Sequence, residues 1–347
     1  MKTLFSDLSR LLPILLIAGL IACSSAAFDA ASDAALLWWS RIVPTLLPYL
    51  IAVSLLCRSG LSGRMPRRLL PPALFLFGAL GGYPVGAKLA SAWYCRGVPD
   101  RRLSERAAIL CDLPNPVFLL TVVSVGFFRN ARCAIPLLIG IYVPSLLVSL
   151  LLLRPPLSHA GDPTEGLRSS DLPEAIGEGV CTIGTVGGCI VFASVLYALL
   201  QSIGVPSLLH RVTRLDADLT GSVLIGLFEM TCGIRAAAAL PFSLPVRLAL
   251  AAFFAQFGGL SAALQVQAQA STSAVRFLLG KLPVSLLCAL TVWLLTPVFL
   301  HEPVVPTFAS AAQMRANTVS LLSVALSSAI GLLFVFVFTV RSSRTRA

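Results

Sequence analysis

Two carboxylates, Asp112 and Glu229, stand inside apolar stretches of this 347-residue chain, away from the ends of those stretches. An ionisable side chain in such surroundings is costly enough to mark a functional candidate by default. Each sits in a run that cannot continue a regular helix: Asp112-Leu113-Pro114-Asn115-Pro116, and Glu229-Met230-Thr231-Cys232-Gly233. Two further runs interrupt apolar stretches in the same way, Gly81-Gly82-Tyr83-Pro84-Val85-Gly86 and Gln256-Phe257-Gly258-Gly259-Leu260-Ser261. A half-helix starting after Pro84 would point free N–H groups and a positive dipole end inward, where an anionic group can dock. Lys88 lies one turn further on, and Arg235 holds the equivalent place after the third run. Gln256, Ser261, Gln265 and Gln267 offer hydrogen bonds to a polar solute. The candidate binding set is therefore Gly82, Tyr83, Pro84, Gly86, Lys88, Asp112, Asn115, Glu229, Thr231, Gly233, Arg235, Gln256, Gly258, Gly259, Ser261 and Gln265. A plainer reading stands beside it, in which Asp112 only neutralises Lys88 and Glu229 only neutralises Arg235.

The chemistry expected of these groups is binding and not catalysis. Ser and Asp occur without a histidine in the apolar stretches, which removes the usual general base. His159, His210 and His301 lie far apart in expected loops, so a metal or haem site lacks its ligands, and neither metal nor other cofactor is expected. The nine cysteines form no CxxC pair and read as small buried hydrophobes. Gly187-Gly188 fits close helix packing, whereas Gly81-Gly82 and Gly258-Gly259 adjoin proline or polar side chains that packing alone does not require. Arg41, beside Trp38 and Trp39, reads as an interfacial anchor.

The elements that must position these groups follow from composition. Hydrophobic residues make up 57% of the chain and charged ones 12%, against about 25% charged in soluble domains. The excess of 26 basic over 15 acidic residues invites a nucleic-acid reading in a soluble protein. Here most arginines sit in short loops between apolar runs, as cytoplasmic loops do, and nucleic acid is not an expected partner. Apolar runs long enough to cross a bilayer lie near 11–27, 36–57, 107–128, 133–153, 179–203, 245–268, 277–299 and 318–340. Leu20-Ile21-Ala22-Cys23 resembles a lipoprotein processing box, but the first run is long enough to serve as an uncleaved span. The stretch 69–95 is basic at both ends and broken at its centre, which predicts a re-entrant hairpin bordered by protein or a water-filled cavity. Lys2 and Arg10, with Arg341, Arg344 and Arg346, put both termini in the cytoplasm; Arg129 and Arg132 fall on the outer side against the rule.

A pattern repeat runs at an offset of about 144 to 148 residues. The run 41–60 matches 185–204, 78–88 answers 226–235, and 108–116 answers 252–259. Three crossings separate equivalent loops, which inverts the second unit, an arrangement of secondary transporters that hold solute where the repeats meet. The fold class expected is thus an all-α polytopic membrane protein of about eight transmembrane helices plus two re-entrant broken-helix hairpins in inverted repeats. Its parts are an N-terminal helix (1–35), a first repeat (36–153), a polar cytoplasmic linker (154–178), an inverted second repeat (179–300), and a C-terminal helix with a basic tail (301–347). The linker's acids read as a solvated face without chemistry.

Taken together, the four runs resemble the YlbJ/SpoVV family of sporulation integral membrane proteins, which carry Gate (nucleoside-recognition-like) domains. Gly82-Tyr83-Pro84-Val85-Gly86-Ala87-Lys88 resembles that family's GYPVGAK stretch, Gly226-Leu227-Phe228-Glu229-Met230-Thr231-Cys232-Gly233 its GLLEITNG, and Phe257-Gly258-Gly259-Leu260-Ser261 its FGGLS. Where the family tends to CNNSGPLF, this chain has Cys111-Asp112-Leu113-Pro114-Asn115-Pro116-Val117-Phe118. Cys232 stands for an expected asparagine, and Ala263 for an expected histidine. The resemblance implies a role in endospore formation, in the cell membrane or outer forespore membrane, and movement of dipicolinate, a small aromatic dianion. Partners expected are that anion, the lipid bilayer and, without a signal for or against, a second copy of the chain as a homo-oligomer. A nucleoside-like solute, or a membrane scaffold for cortex formation that moves nothing, are the alternatives.

Overall fold

The structure is a computed structural model that describes residues 2–60, 65–94, 101–153, 167–270 and 272–300. Helix α1 (Lys2–Ala22) ends in a turn at Cys23, after which α2 (Ser24–Leu37) runs through a π-helical turn (Trp38–Ile42) into α3 (Val43–Arg58). That 35-residue rod is about 52 Å long, more than the roughly 30 Å of a hydrocarbon core. It starts well before the span expected at 36–57, and the boundary expected at 35/36 falls inside it. The physical reason is local, since 24–37 is rich in alanine, the strongest helix former, and carries Asp29 and Asp33, which suit the part beyond the bilayer.

Four helices are broken where the sequence analysis places breaks. Helix α4 (Leu70–Gly81) stops at Gly82, and α5 (Val85–Leu89) resumes after Pro84 and continues as a π turn (Ala90–Tyr94). Helix α6 (Arg101–Cys111) is separated by 112–115 from a π-helical segment (Phe118–Phe127), so the expected span 107–128 is not one continuous helix. After α7 (Ala134–Leu152) come α8 (Asp171–Ser202) and the short α9 (Val205–Thr213). Helices α10 (Ala217–Phe228) and α11 (Met230–Ala239) meet at Glu229, and α12 (Leu244–Phe257) and α13 (Gly259–Gln269) meet at Gly258. Helix α14 (Ala274–Phe299) closes the described chain. No strand occurs among the described residues.

Five of these rods are long and apolar enough to cross a membrane: Ser24–Arg58, Ala131–Leu152, Asp171–Ser202, Leu244–Gln269 and Ala274–Phe299. The chain is a multi-pass membrane protein, all-helical among the described residues. In α1 the apolar part, residues 11–22, follows Ser9 and Arg10 and is shorter than those five rods. The eighth expected span, 318–340, and the basic tail lie outside the described residues, as do 154–166 of the linker and His159 and His301. The rest of the linker differs from expectation: 171–178 is the first part of α8, with Asp171 and Glu174 in a first turn whose dipole favours acids. His210 lies in α9 and not in a loop.

Packing sets the centre. Helix α3 lies along α8, and α14 along both α12 and α7. The rod formed by α12 and α13 is mostly enclosed, while α7 and α14 present Leu147, Leu151, Leu286 and Leu290 outward, as lipid-facing helices do. Of the described cysteines, Cys111, Cys133, Cys232 and Cys288 are buried; Cys181 is exposed and Cys23, Cys57 and Cys189 are half-buried, so burial holds for only some of them.

Candidate solute site

All four breaks meet at one cavity. Tyr83 from the first, Asn115 from the second, Glu229 from the third, and Gly258, Ser261 and Gln265 from the fourth line it. Ile42 and Leu46 close one side, and Val186 and Ile190, at the expected repeat offset of about 144 residues, close another. The cavity has a volume of about 30 Å³, room for about two waters. A solute of ring size therefore needs the walls to part.

Each break is stitched by its own polar groups. Gly82 has φ +77°, a backbone conformation that favours glycine, and its carbonyl accepts from Val85 N at 2.7 Å. Tyr83 is buried, and its hydroxyl donates to the Gln256 carbonyl at 2.7 Å, tying the first break to the fourth. Asn115 donates from Nδ2 to the Leu80 carbonyl and accepts at Oδ1 from Val117 N at 2.7 Å, which caps the helix that follows. Glu229 ends α10 and caps α11, its Oε2 accepting from Cys232 N at 2.7 Å. Gln265 donates to Ser261 Oγ at 3.1 Å. The Oε1 atoms of Gln256 and Gln265 and the Thr231 hydroxyl are buried with no hydrogen-bond partner, and such groups ordinarily have one. Of these three residues Gln265 lines the cavity, where its Oε1 is available to a bound solute or water, and Gln256 and Thr231 do not.

Several expected site residues do other work. Gly86, with Gly78, lets the first broken pair touch the end of α6: a Cβ on either would overlap the Cys111 carbonyl oxygen. Gly233 plays that part in the second pair, where a Cβ would overlap the backbone of Gly226, and Gly259 lies close to the Gly226 and Leu227 carbonyls. Gly187 packs beneath Trp38, as expected, while Gly188 meets nothing. Arg41 is exposed.

The expected charge pairing is overturned. Lys88 does not neutralise Asp112; its Nζ lies 3.1 Å from Glu178 at a second cavity that Pro84 also lines. Glu178 also binds Arg58 at 2.7 Å, and Arg58 pairs with Glu174 and, at 3.6 Å, with Asp171. Asp171, Glu174 and Glu178, expected with the other linker acids to be plain solvated surface, thus tie α8 to Arg58 at the end of α3, because α8 begins early enough to bring them there. Arg235 is exposed and Glu229 is committed to its helix cap, so that pair does not form either. The N–H groups after Pro84 are not free for an external anion: Asp112 Oδ1 accepts from Ala87 N at 3.3 Å.

One residue escaped the sequence reading altogether. Lys281 is buried in α14 and donates to the main-chain carbonyl of Asp112, with its ammonium 5.1 Å from the centre of the Tyr83 ring. A single lysine near the start of the apolar run 277–299 was the available signal. Among the described residues no group of His, Cys, Asp and Glu is arranged to hold a metal ion.

Among known proteins, the chain is similar to the sporulation integral membrane protein YlbJ of Bacillus subtilis (strain 168). The two are 28% identical over an alignment of 308 positions that takes in 76% of this chain and 75% of that protein. The chain is a relative of YlbJ. The family resemblance carried by the GYPVGAK-like and FGGLS-like runs therefore extends to most of the chain, and a membrane protein of sporulation is the kind of protein it resembles. No family model matches the chain and no solved structure does, so the Gate domains expected from the resemblance are not shown.

Proposed function

We propose that this YlbJ relative is a membrane transporter of a small organic anion, dipicolinate, during endospore formation. The observation that carries the reading is the convergence of four helix breaks on one cavity between α3 and α8, with Gln265, whose Oε1 has no hydrogen-bond partner, among its lining residues. Irregular backbone at membrane depth is tolerated where it lines a cavity, and a scaffold has no need of one. The repeated order of long helix, broken pair, broken rod and long helix supports two inverted repeats that rock about the cavity, and the apolar runs and basic loops of the sequence support eight crossings with both termini in the cytoplasm. The second cavity, lined by Leu50, Val53, Lys88, Glu178 and Thr182, lies between the same two helices and carries a basic side chain paired with an acidic one.

A nucleoside-like solute is the second reading, favoured by one observation. Glu229 lines the central cavity and no lysine or arginine stands among its described lining residues. A carboxylate suits a neutral hydrogen-bond donor and repels a dianion.

Uptake into vesicles holding the purified chain separates the readings. Dipicolinate uptake that is retained or raised in Glu229→Gln supports the anion. Uptake of nucleosides but not of dipicolinate, lost in Glu229→Gln, supports the second reading. Vesicles in which neither solute moves would return the chain to the scaffold class.

A further inference from the structure

Asp112 and Lys281 are the one acid and base that the described helices bury beside each other behind the cavity wall, at 0% and 1% exposure. Asp112 belongs to the expected binding set, but neither it nor Lys281 lines the cavity, and the solute reading leaves both unused. Lys281 donates to the Asp112 carbonyl and its charge is opposed by the Asp112 carboxylate. Asp112 Oδ1 holds Ala87 N of α5, while Oδ2 is buried with no hydrogen-bond partner. The titratable groups that face the pair are Tyr83 from the first break, Cys111 beside Asp112, Tyr142 from α7, whose hydroxyl donates to the Pro114 carbonyl at 2.6 Å, and Cys288 from α14. None of these is a second acid or a second cation.

We propose that Asp112, held by Lys281, is a proton-binding site that couples proton movement to the solute cavity, a proposal that rests on the transport reading. The step is a protonation: a hydronium ion gives its proton to Asp112 Oδ2, an O–H bond forms, and water is left. Lys281 keeps its own proton. It can do so beside a neutral Asp112 because its ammonium retains the Asp112 carbonyl and lies 5.1 Å and 5.5 Å from the ring centres of Tyr83 and Phe277. The Ala87 N–H then faces a neutral acceptor, and a hydrogen bond to a neutral group is roughly half as strong as one to a charged group. That loosens α5 from the second break. Tyr83, one side of whose ring faces Lys281 and which lines the cavity, sits in the turn that leads into α5. Release of the proton to the opposite side restores the bond. Proton occupancy and cavity geometry are thereby linked through one turn of backbone.

The test uses the full chain in vesicles of phosphatidylglycerol and phosphatidylethanolamine, with the membrane potential clamped at zero and protein-free vesicles as the baseline. With acid outside, a gradient of about one pH unit should concentrate dipicolinate inside about tenfold for each coupled proton. Asp112→Asn keeps an acceptor for Ala87 N and should lose that accumulation while still exchanging labelled for unlabelled dipicolinate at equal pH. Accumulation in Asp112→Asn equal to wild type overturns the proposal, and so does wild-type accumulation that follows a sodium gradient and ignores pH. A second measurement needs neither solute nor variant stability: infrared difference spectra of the wild-type protein as the pH is stepped from about 5 to about 9 should show one buried carboxyl band rise and fall. Absence of any such band overturns the proton site whatever the vesicles transport. A titrating band in protein that moves no dipicolinate supports the site and sinks the transport reading instead.

Discussion

In the first broken pair, Gly78 and Gly86 bring α4 and α5 onto the Cys111 carbonyl; in the second, Gly226 and Gly233 bring α10 and α11 onto each other and onto Phe254. Both pairs use glycine for the same purpose, the close approach of two broken helices to a neighbour. Their acids are treated differently. Asp112 reaches across to cap α5, a helix in another part of the chain, and needs Lys281 from a third element to offset its charge. Glu229 caps the helix that follows it in sequence and borders the cavity directly. The contrast teaches that buried acids at helix breaks need not do the same work. Asp112, in the second break, is a charge centre behind the wall, and Glu229, in the third, is part of the wall itself.

The contrast is open to attack, beginning where the effect should be largest. Replacing Lys281 by Met strands the Asp112 carboxylate without its cation, and loss of one partner of a buried pair costs about 3–5 kcal/mol. The thermal midpoint in detergent should fall sharply, and adding Asp112→Asn to Lys281→Met should recover part of the loss. No recovery would mean that Lys281 matters for packing and not for Asp112. Next in size is Gly86→Ala, whose methyl group must displace a main-chain carbonyl. Overpacking of this kind costs about 1–3 kcal/mol, and Gly233→Ala, which meets the backbone of Gly226, should fall in the same range. A marked difference between the two would show that the glycines are not doing the same job.

Glu229→Gln should cost about 1 kcal/mol at most in stability, because the amide oxygen still accepts from Cys232 N. Its effect belongs in uptake, which makes it the converse of Lys281→Met. The smallest effect is expected from Glu178→Gln. Its partners Arg58 and Lys88 are partly exposed, and such pairs contribute about 0–1 kcal/mol, decreasing with added salt. A larger loss of stability than that of Glu229→Gln would make the outer charge cluster, and not the breaks, the main fastener of α3 to α8.

Three breaks were legible without coordinates because glycine and proline act locally: Gly82 and Pro84, Pro114 and Gly258 interrupt helices wherever the rest of the chain goes, whereas the break at Glu229 holds neither and was read from its acid and the repeat. Five of the crossings were legible for a similar reason, since length and hydropathy are properties of a segment. That Tyr83, Asn115, Glu229 and Ser261 share a cavity was anticipated through the repeat, although sequence could not give its size or its apolar walls, Ile42, Leu46, Val186 and Ile190. The pairing of charges was not legible. Lys88 and Asp112 are a basic and an acidic residue in apolar stretches of one expected repeat, which suggested a pair, but side chains pair across space. Helix α8 begins early enough to bring Glu178 to Lys88, and α14 brings Lys281 to the second break from 169 residues away.

The amino-acid sequence by itself therefore determined that the chain lives in a bilayer, where its helices fail, and which residues at those failures are polar, all of which are consequences of local chemistry. Only the tertiary structure decided which charge answers which. In a medium that solvates ions poorly, each buried charge takes the partner that packing puts within reach, and packing is set by helices distant in the chain.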